Sequence, residues 1–283
     1  MRPVWCIVGA TVLLSVAVAG VSGQSVDEGL LEPTRQALGG KGLAGVRTLR
    51  AEGESTRVVA SLRLSSAIEL LLERPDRFLR IDRLRVAGTA AETTSGFVGD
   101  RFVQRTPGQR VPAPAGAAPD QRNELQRAAA AGLRSELLLL LLGFFAGTFD
   151  DSPLHVERLG IAEAPDARAE ALRLTFGTGL AATLFVHVDT HLPLMVSWQG
   201  ADPSAVLRLA TSTDPFAATA LVAAGQAAPV EHRLHFSDYR RVDALRWPFL
   251  VRHTAGGRPV EELRFERLTP NPVFKHGTFA ESQ

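Results

Sequence analysis

Between Val46 and Val103, apolar and polar residues alternate with a period of two. Ala60, Leu62 and Leu64 alternate with Ser61, Arg63 and Ser65. Ile68, Leu70 and Leu72 alternate with Glu69, Leu71 and Glu73, and Leu79 and Ile81 with Arg80 and Asp82. Side chains two apart on a strand face the same way, so this spacing predicts the half-buried strands of a meander. Arg74-Pro75-Asp76 is a turn between two of them. The same period returns after Asp150-Asp151. Leu172, Leu174 and Phe176 alternate with Arg173 and Thr175; strands follow at Leu180 to Asp189, Leu194 to Gln199 and Val230 to Tyr239. Trp247 to His253 and Val260 to Arg267 flank Ala255-Gly256-Gly257-Arg258, the pattern of a hairpin.

Two stretches break this alternation. Ser25 to Leu38 reads as a helix, with Ser25 a candidate N-cap, Pro33 confined to its first turns and Gly39-Gly40 ending it. Asp120 to about Phe145 reads as a longer one. Its first half is polar; its second, Leu137 to Leu142 with Phe144 and Phe145, is apolar all round, too short to span a bilayer but suited to burial on every side. The predicted fold class is mainly β (α+β): a curled antiparallel sheet or incomplete β-barrel of about ten strands, with an N-terminal helix and a central helix packed in its concave face.

Composition narrows the context. Of 283 residues, 31 are Lys or Arg and 30 are Asp or Glu. Arg2 opens a leader whose apolar run, Val4 to about Ala19, ends at the small residues Val21-Ser22-Gly23. That is the plan of a signal peptide over residues 1–23, with an uncleaved N-terminal membrane anchor as the alternative. The remaining chain, 24–283, reads as one domain with a flexible loop at 106–119 and an Ala-rich insertion at 211–229. Without Arg2 it is neutral, which argues against nucleic acid as a partner. Cys6, in the leader, is the only cysteine, so the exported chain has neither disulfide nor thiolate chemistry. The expected localisation is periplasmic or secreted.

Several short segments together resemble the outer-membrane lipoprotein carrier (LolA/LolB-like) superfamily. They are Ala37-Leu38-Gly39-Gly40, Arg74-Pro75-Asp76-Arg77-Phe78, and Leu184 to Asp189 with Leu192-Pro193. At the C-terminal end come His235-Phe236-Ser237-Asp238-Tyr239-Arg240-Arg241-Val242-Asp243, Trp247-Pro248-Phe249, and Phe265 to Asn271 with Phe274 and Phe279. The run departs at Ala244, where that family's pattern has glycine. The resemblance implies a non-catalytic protein that binds or transports a hydrophobic ligand, a lipid or acyl chain, in the cell envelope, with envelope proteins as further partners and no cofactor. The expected lining of its cavity is Leu138, Leu139, Leu142, Phe144, Phe145, Trp198, Phe236, Tyr239, Trp247 and Phe249, because an apolar ligand requires a concave apolar surface. The same residues would equally fill an ordinary core.

Two alternatives remain: a structural or interaction module of an envelope complex with no ligand, and a metal-dependent enzyme. The second rests on His187-Val188-Asp189-Thr190-His191, whose polar side chains share a face if the segment is a strand. In a second cluster, Glu231, His232, His235 and Asp238, the spacing puts His232 on the inward face of Leu234 and Phe236 and His235 outward. Gly40-Lys41-Gly42-Leu43-Ala44-Gly45 has the G-x-G-x-x-G spacing, but a helix precedes it and a strand follows, the reverse of a dinucleotide site. No G-x-S-x-G, H-E-x-x-H or P-loop motif occurs.

Overall fold

A computed structural model describes residues 28–59, 62–86, 89–105, 119–147, 153–164, 167–203 and 229–279. Residues 106–118 of the expected 106–119 loop, most of the Ala-rich insertion, Asp150-Asp151 and the leader lie outside them; Pro119 instead begins a helix. A short 3-10 turn, Glu28–Leu31, leads into α1, Glu32–Leu38. Pro33 sits in the first turn, where its missing N–H is harmless. Gly39 ends α1 with φ 144°, and its amide donates to the carbonyls of Arg35 and Gln36. The glycine-rich segment then forms only a single helical turn, α2, Lys41–Ala44.

Five strands follow: β1 (Thr48–Val59), β2 (Leu62–Glu73), β3 (Arg77–Val86), β4 (Thr89–Val98) and β5 (Arg101–Arg105). The long helix α3 (Pro119–Phe145) comes next. The remaining strands are β6 (Leu154–Ala164), β7 (Ala167–Phe176), β8 (Ala181–His187), β9 (Pro193–Ala201), β10 (Pro229–Val242), β11 (Leu245–Ala255) and β12 (Arg258–Pro270). All twelve form one antiparallel sheet in the order β5-β4-β3-β2-β1-β12-β11-β10-β9-β8-β7-β6. The two meanders are therefore joined by the first strand pairing with the last, and among the described residues β5 and β6 are the edges. The sheet is open rather than a closed barrel. At 1.5 Å per residue, α3 is about 40 Å long, and it carries the chain from one edge to the other. It touches β4, β5, β9, β10 and β11 on the way.

The main core lies between α3, α1 and the concave face of the sheet. Leu49 and Ala51 of β1, Ile68, Leu70 and Leu72 of β2, Phe78 of β3 and Phe97 of β4 face it from one side; Leu172, Leu174, Leu184, Val196, Phe236, Trp247 and Val251 face it from the other. The expected hairpin is present, with Gly256 and Gly257 at φ 55° and 73°.

One strand faces the opposite way from the sequence reading. In β3 the charged residues Arg80 and Asp82 turn inward with Phe78, in register with Leu70 and Ile68 of β2. Leu79 instead packs with Leu71, Val103 and Phe279 in a second cluster on the convex side, with Ile81 and Phe274 against it. The C-terminal tail covers that patch, so both faces of β3 are packed and alternation alone could not choose between them. Leu62 and Leu64, also read as inward apolar positions, are exposed near the strand's start.

Candidate functional site between the central helix and the concave face

Helical spacing divides the apolar half of α3 into two faces. Leu137, Leu140, Leu141 and Phe144 look toward Leu49, Ala51, Leu70, Leu72 and Phe78, and enclose a void of only about 20 Å³. The lining is wholly apolar, so the void offers a water no hydrogen-bond partner. The other face meets β10 and β11. Phe145 packs edge-on against Trp247 with centroids 6.2 Å apart, and Gly143 lies against Phe236. A Cβ on Gly143 would come within 2.3 Å of the Phe236 ring, so only glycine permits this approach.

The C-terminal carbonyls of a helix lack intrahelical donors. Here three side chains from elsewhere in the chain supply them. Trp247 Nε1 donates to the Phe144 carbonyl at 3.1 Å. Tyr239 Oη donates to the Pro193 carbonyl at 2.8 Å, with the Gly143 carbonyl at 3.4 Å. Arg35 Nε donates to the Ala146 carbonyl at 3.1 Å. Burial pushes the Tyr239 hydroxyl well above its usual range, which keeps it a donor. Further along, Arg134 donates to the Gly99 carbonyl and lies 4.8 Å over the Phe97 ring. Beside it, the middle of α3 and the β4–β5 and β7–β8 turns bound a groove of about 640 Å³, lined by Asp100, Arg127, Ala130, Ala131, Gly132, Arg134, Ser135, Thr178, Gly179 and Leu180.

Of the ten residues expected to line a cavity, Leu138, Leu139, Leu142, Phe144, Phe145, Phe236, Trp247 and Phe249 are buried. Phe144 alone among them borders the small void. Trp198 and Tyr239 are half-buried against the same core. Leu137, Leu140 and Leu141, from the same Leu137–Leu142 run, border the void with Phe144.

The other end of the concave face is polar, which the sequence reading missed. Arg80 donates through Nε to Asp82 (2.8 Å) and through Nη2 to Ser55 (3.2 Å), Asp82 (3.0 Å) and Glu261 (2.6 Å). Ser55, fully buried, donates to Glu261 at 2.7 Å, as does Arg57 at 2.8 Å. Ser66 donates to Asp82 at 3.1 Å. Burial disfavours ionisation of Glu261, but the charge and hydrogen bonds of Arg80, with Arg57 and Ser55, outweigh it and hold the carboxyl down at about 2. The same competition lowers Asp82.

Across β11 and β12, Glu261 stands opposite His253. The rings of His253, His232 and Trp198 lie nearly parallel, with centroids 5.0–5.5 Å apart. His232 Nε2 lies 3.0 Å from the Ala201 carbonyl, which only accepts, so this nitrogen carries the proton. His232 Nδ1 lies 2.9 Å from His253 Nε2, so one of these two nitrogens donates to the other. Burial first, then the neighbouring His232, lowers His253 to about 4, against a partial offset from Glu261.

The His187–His191 segment is a turn rather than the end of a strand. Strand β8 stops at His187, whose Nδ1 accepts from the amides of Asp189 (3.1 Å) and Thr190 (3.4 Å), and His191 has φ 56°. The imidazoles do not converge. Among the described residues, no group of three His, Cys, Asp or Glu is arranged to hold a metal. His232 is buried and His235 exposed, as the spacing indicates.

No protein-family profile and no curated protein matches the chain. Solved structures do. A LolA superfamily protein from Nitrosomonas europaea superposes with a TM-score of 0.53 at 7% identity, over 91% of this chain and 99% of that one. The chain has the LolA-like fold. A domain assigned to outer-membrane lipoprotein sorting in Vibrio parahaemolyticus superposes with a TM-score of 0.50 at 12% identity, over 88% and 95%. In the LolA-like sheet of this chain, part of the C-terminal run noted in the sequence is structural. Asp238 and Asp243 have φ 54° and 55° in and at the end of β10. Asn271 Oδ1 accepts from the Arg47 amide at 2.7 Å, and its Nδ2 donates to the Gly45 carbonyl at 3.2 Å, fastening the start of β1 to the end of β12.

Proposed function

We propose that this protein binds the apolar part of a lipid or acylated molecule between α3 and the concave face of the sheet, and carries it in the cell envelope without chemistry. The observation that carries this reading is the open sheet with an apolar half-helix as its cover. The cover is held at its end by side-chain contacts to three carbonyls. Helix and sheet leave about 20 Å³ between them, so an acyl chain would enter by displacing α3. Leu138, Leu139, Leu142, Phe144, Phe145, Phe236, Trp247 and Phe249 would then become its lining, with Trp198 and Tyr239 at the border. The likeness in fold to a domain assigned to lipoprotein sorting supports the same reading. Export by cleavage of residues 1–23, and a periplasmic location for the domain that follows, belong to it. Among the described residues no helix is long and apolar enough to cross a membrane.

Titration with a fluorescent fatty acid tests the site. Leu140→Asn, on the face of α3 that borders the void, should weaken binding while the circular dichroism spectrum stays native. Equal binding by both proteins would remove α3 from the site. The near absence of a void favours a second reading, an interaction module with a filled core; no binding of any acyl probe would favour it.

A further inference from the structure

The groove at the middle of α3 and the apolar void beneath its C-terminal half belong to one stripe of the helix. Ala130 and Arg134 line the groove; Leu137, Leu141 and Phe144 line the void. Their spacing alternates between four residues and three, which puts all five on one helical face. At 1.5 Å per residue, Arg134 stands about 15 Å along the axis from Phe144. The sheet side is continuous as well. The Arg134 guanidinium lies 4.8 Å over the Phe97 ring, Phe97 packs against Phe78 with centroids 5.9 Å apart, and Phe78 borders the void. The polar groove is therefore the outer end of the apolar seam between helix and sheet.

The lining of this outer end is cationic. It carries the guanidiniums of Arg127 and Arg134 against the single carboxylate of Asp100. Arg134 is fixed by the Gly99 carbonyl and the Phe97 ring, which hold its direction without neutralising its charge. Asp100 comes no nearer than 3.8 Å, and its side chain is 94% exposed against 25% for Arg134; water screens such a pair to at most about 1 kcal/mol. The walls are open. A Cβ on Gly132 or Gly179 would meet no atom of the described residues within 4 Å. Glycine inside a helix costs about 1 kcal/mol relative to alanine, and no close neighbour at Gly132 requires it. An anion in the groove would meet a guanidinium already fixed in place. A cation would meet two guanidiniums and one screened carboxylate.

We propose that this groove takes the anionic head, a phosphate or carboxylate, of a single-chain amphiphile, with the head on Arg134 and the tail along the Leu137–Phe144 stripe. This rests on the reading that the tail binds beneath α3, and adds to it the charge of the head and the end at which the ligand enters.

Four probes test it by calorimetry, the amphiphiles below their micellar concentrations: dodecyl phosphate, dodecyl maltoside, dodecyltrimethylammonium and inorganic phosphate. The first three share a tail and differ in the charge of the head. The wild-type protein should bind dodecyl phosphate most tightly and inorganic phosphate not measurably. Arg134→Gln should weaken dodecyl phosphate about tenfold, the effect of one charge-assisted contact, and leave the maltoside unchanged; Arg134→Lys, which keeps the charge, should restore part of the loss. Asp100→Asn, at an exposed turn position, should tighten dodecyl phosphate about twofold by removing the one opposing charge. Arg63→Gln, an equal loss of charge at an exposed position of β2, should change nothing. Equal affinity for all three dodecyl heads, untouched by Arg134→Gln and Asp100→Asn, overturns the headgroup site and leaves the tail site standing. Loss of the maltoside as well in Arg134→Gln, with Asp100→Asn silent, makes Arg134 only a fastener of the β4–β5 turn and also overturns it. Inorganic phosphate binding as tightly as dodecyl phosphate overturns it in favour of a free-anion site. Failure of every dodecyl probe overturns the tail site and this proposal with it.

Discussion

Replacing Glu261 with Gln should flatten the acid limb of the protein's stability curve. The carboxyl sits at about 2 in the folded protein, against 4.5 ordinarily. At 1.36 kcal/mol per pH unit, the difference corresponds to about 3 kcal/mol. Because the folded value is the lower one, the unfolded chain binds more protons between the two. The contribution is complete above pH 4.5 and disappears as pH falls toward 2. Urea unfolding followed by tryptophan fluorescence, repeated from pH 7 to pH 2, reads it directly. Wild-type stability should fall steeply in that window. Glu261→Gln should begin lower at pH 7, by about 3–5 kcal/mol, because Arg80 and Arg57 keep their charges and lose a partner. It should keep the loss that His253 contributes between pH 6.5 and 4 and lose little further below that, with a residual slope from Asp82, which Arg80 also holds low. An acid limb as steep in the variant as in the wild type would refute the account of the belt.

His253 titrates in a different window. Its folded value of about 4 lies below the ordinary 6.5, so its contribution is present above 6.5 and lost as pH falls toward 4; His253→Phe should remove that slope, and an NMR titration should find the imidazole neutral at pH 5.5. Trp247→Phe removes the donor to the Phe144 carbonyl and should cost about 1 kcal/mol, with faster amide exchange confined to the end of α3 and its contacts. Leu142→Ala, at a fully buried position, should cost about 2–5 kcal/mol in chemical denaturation. Gly143→Ala, whose Cβ would meet the Phe236 ring at 2.3 Å, should lower the melting temperature although alanine is the better helix former.

Much of this architecture is legible in the chain because most strands pack on one face only. The β7 positions Leu172, Leu174 and Phe176 alternate cleanly and are all buried. The two glycines of the last hairpin mark their turn. Helix α3 is legible because eight apolar residues, Leu137 to Leu142 with Phe144 and Phe145, show no alternation and suit no half-buried strand. The reading fails where a second surface competes. Leu79 and Ile81 are an apolar face, but they are covered from outside by Phe274 and Phe279, and nothing local in β3 reveals that the tail returns there. Arg80 and Asp82, the polar positions of that alternation, therefore read as its solvent face. Glu261 and Ser55, far from them in sequence, meet them only through the β1–β12 pairing, a contact no short window contains. The His187–His191 reading fails for a different reason: His191-Leu192-Pro193 already closes the strand, and the His187 ring caps the turn instead of facing outward with its neighbours.

Residues 24–283, purified from an envelope fraction without detergent and weighed by native mass spectrometry, test the central claim most directly. The account predicts a second species, heavier than the bare chain by one discrete mass that extracts into organic solvent as a lipid, and its loss when Leu140 is replaced by Asn. A single bare mass that stays bare after incubation with acyl probes would contradict it and leave α3 a permanent part of a filled core.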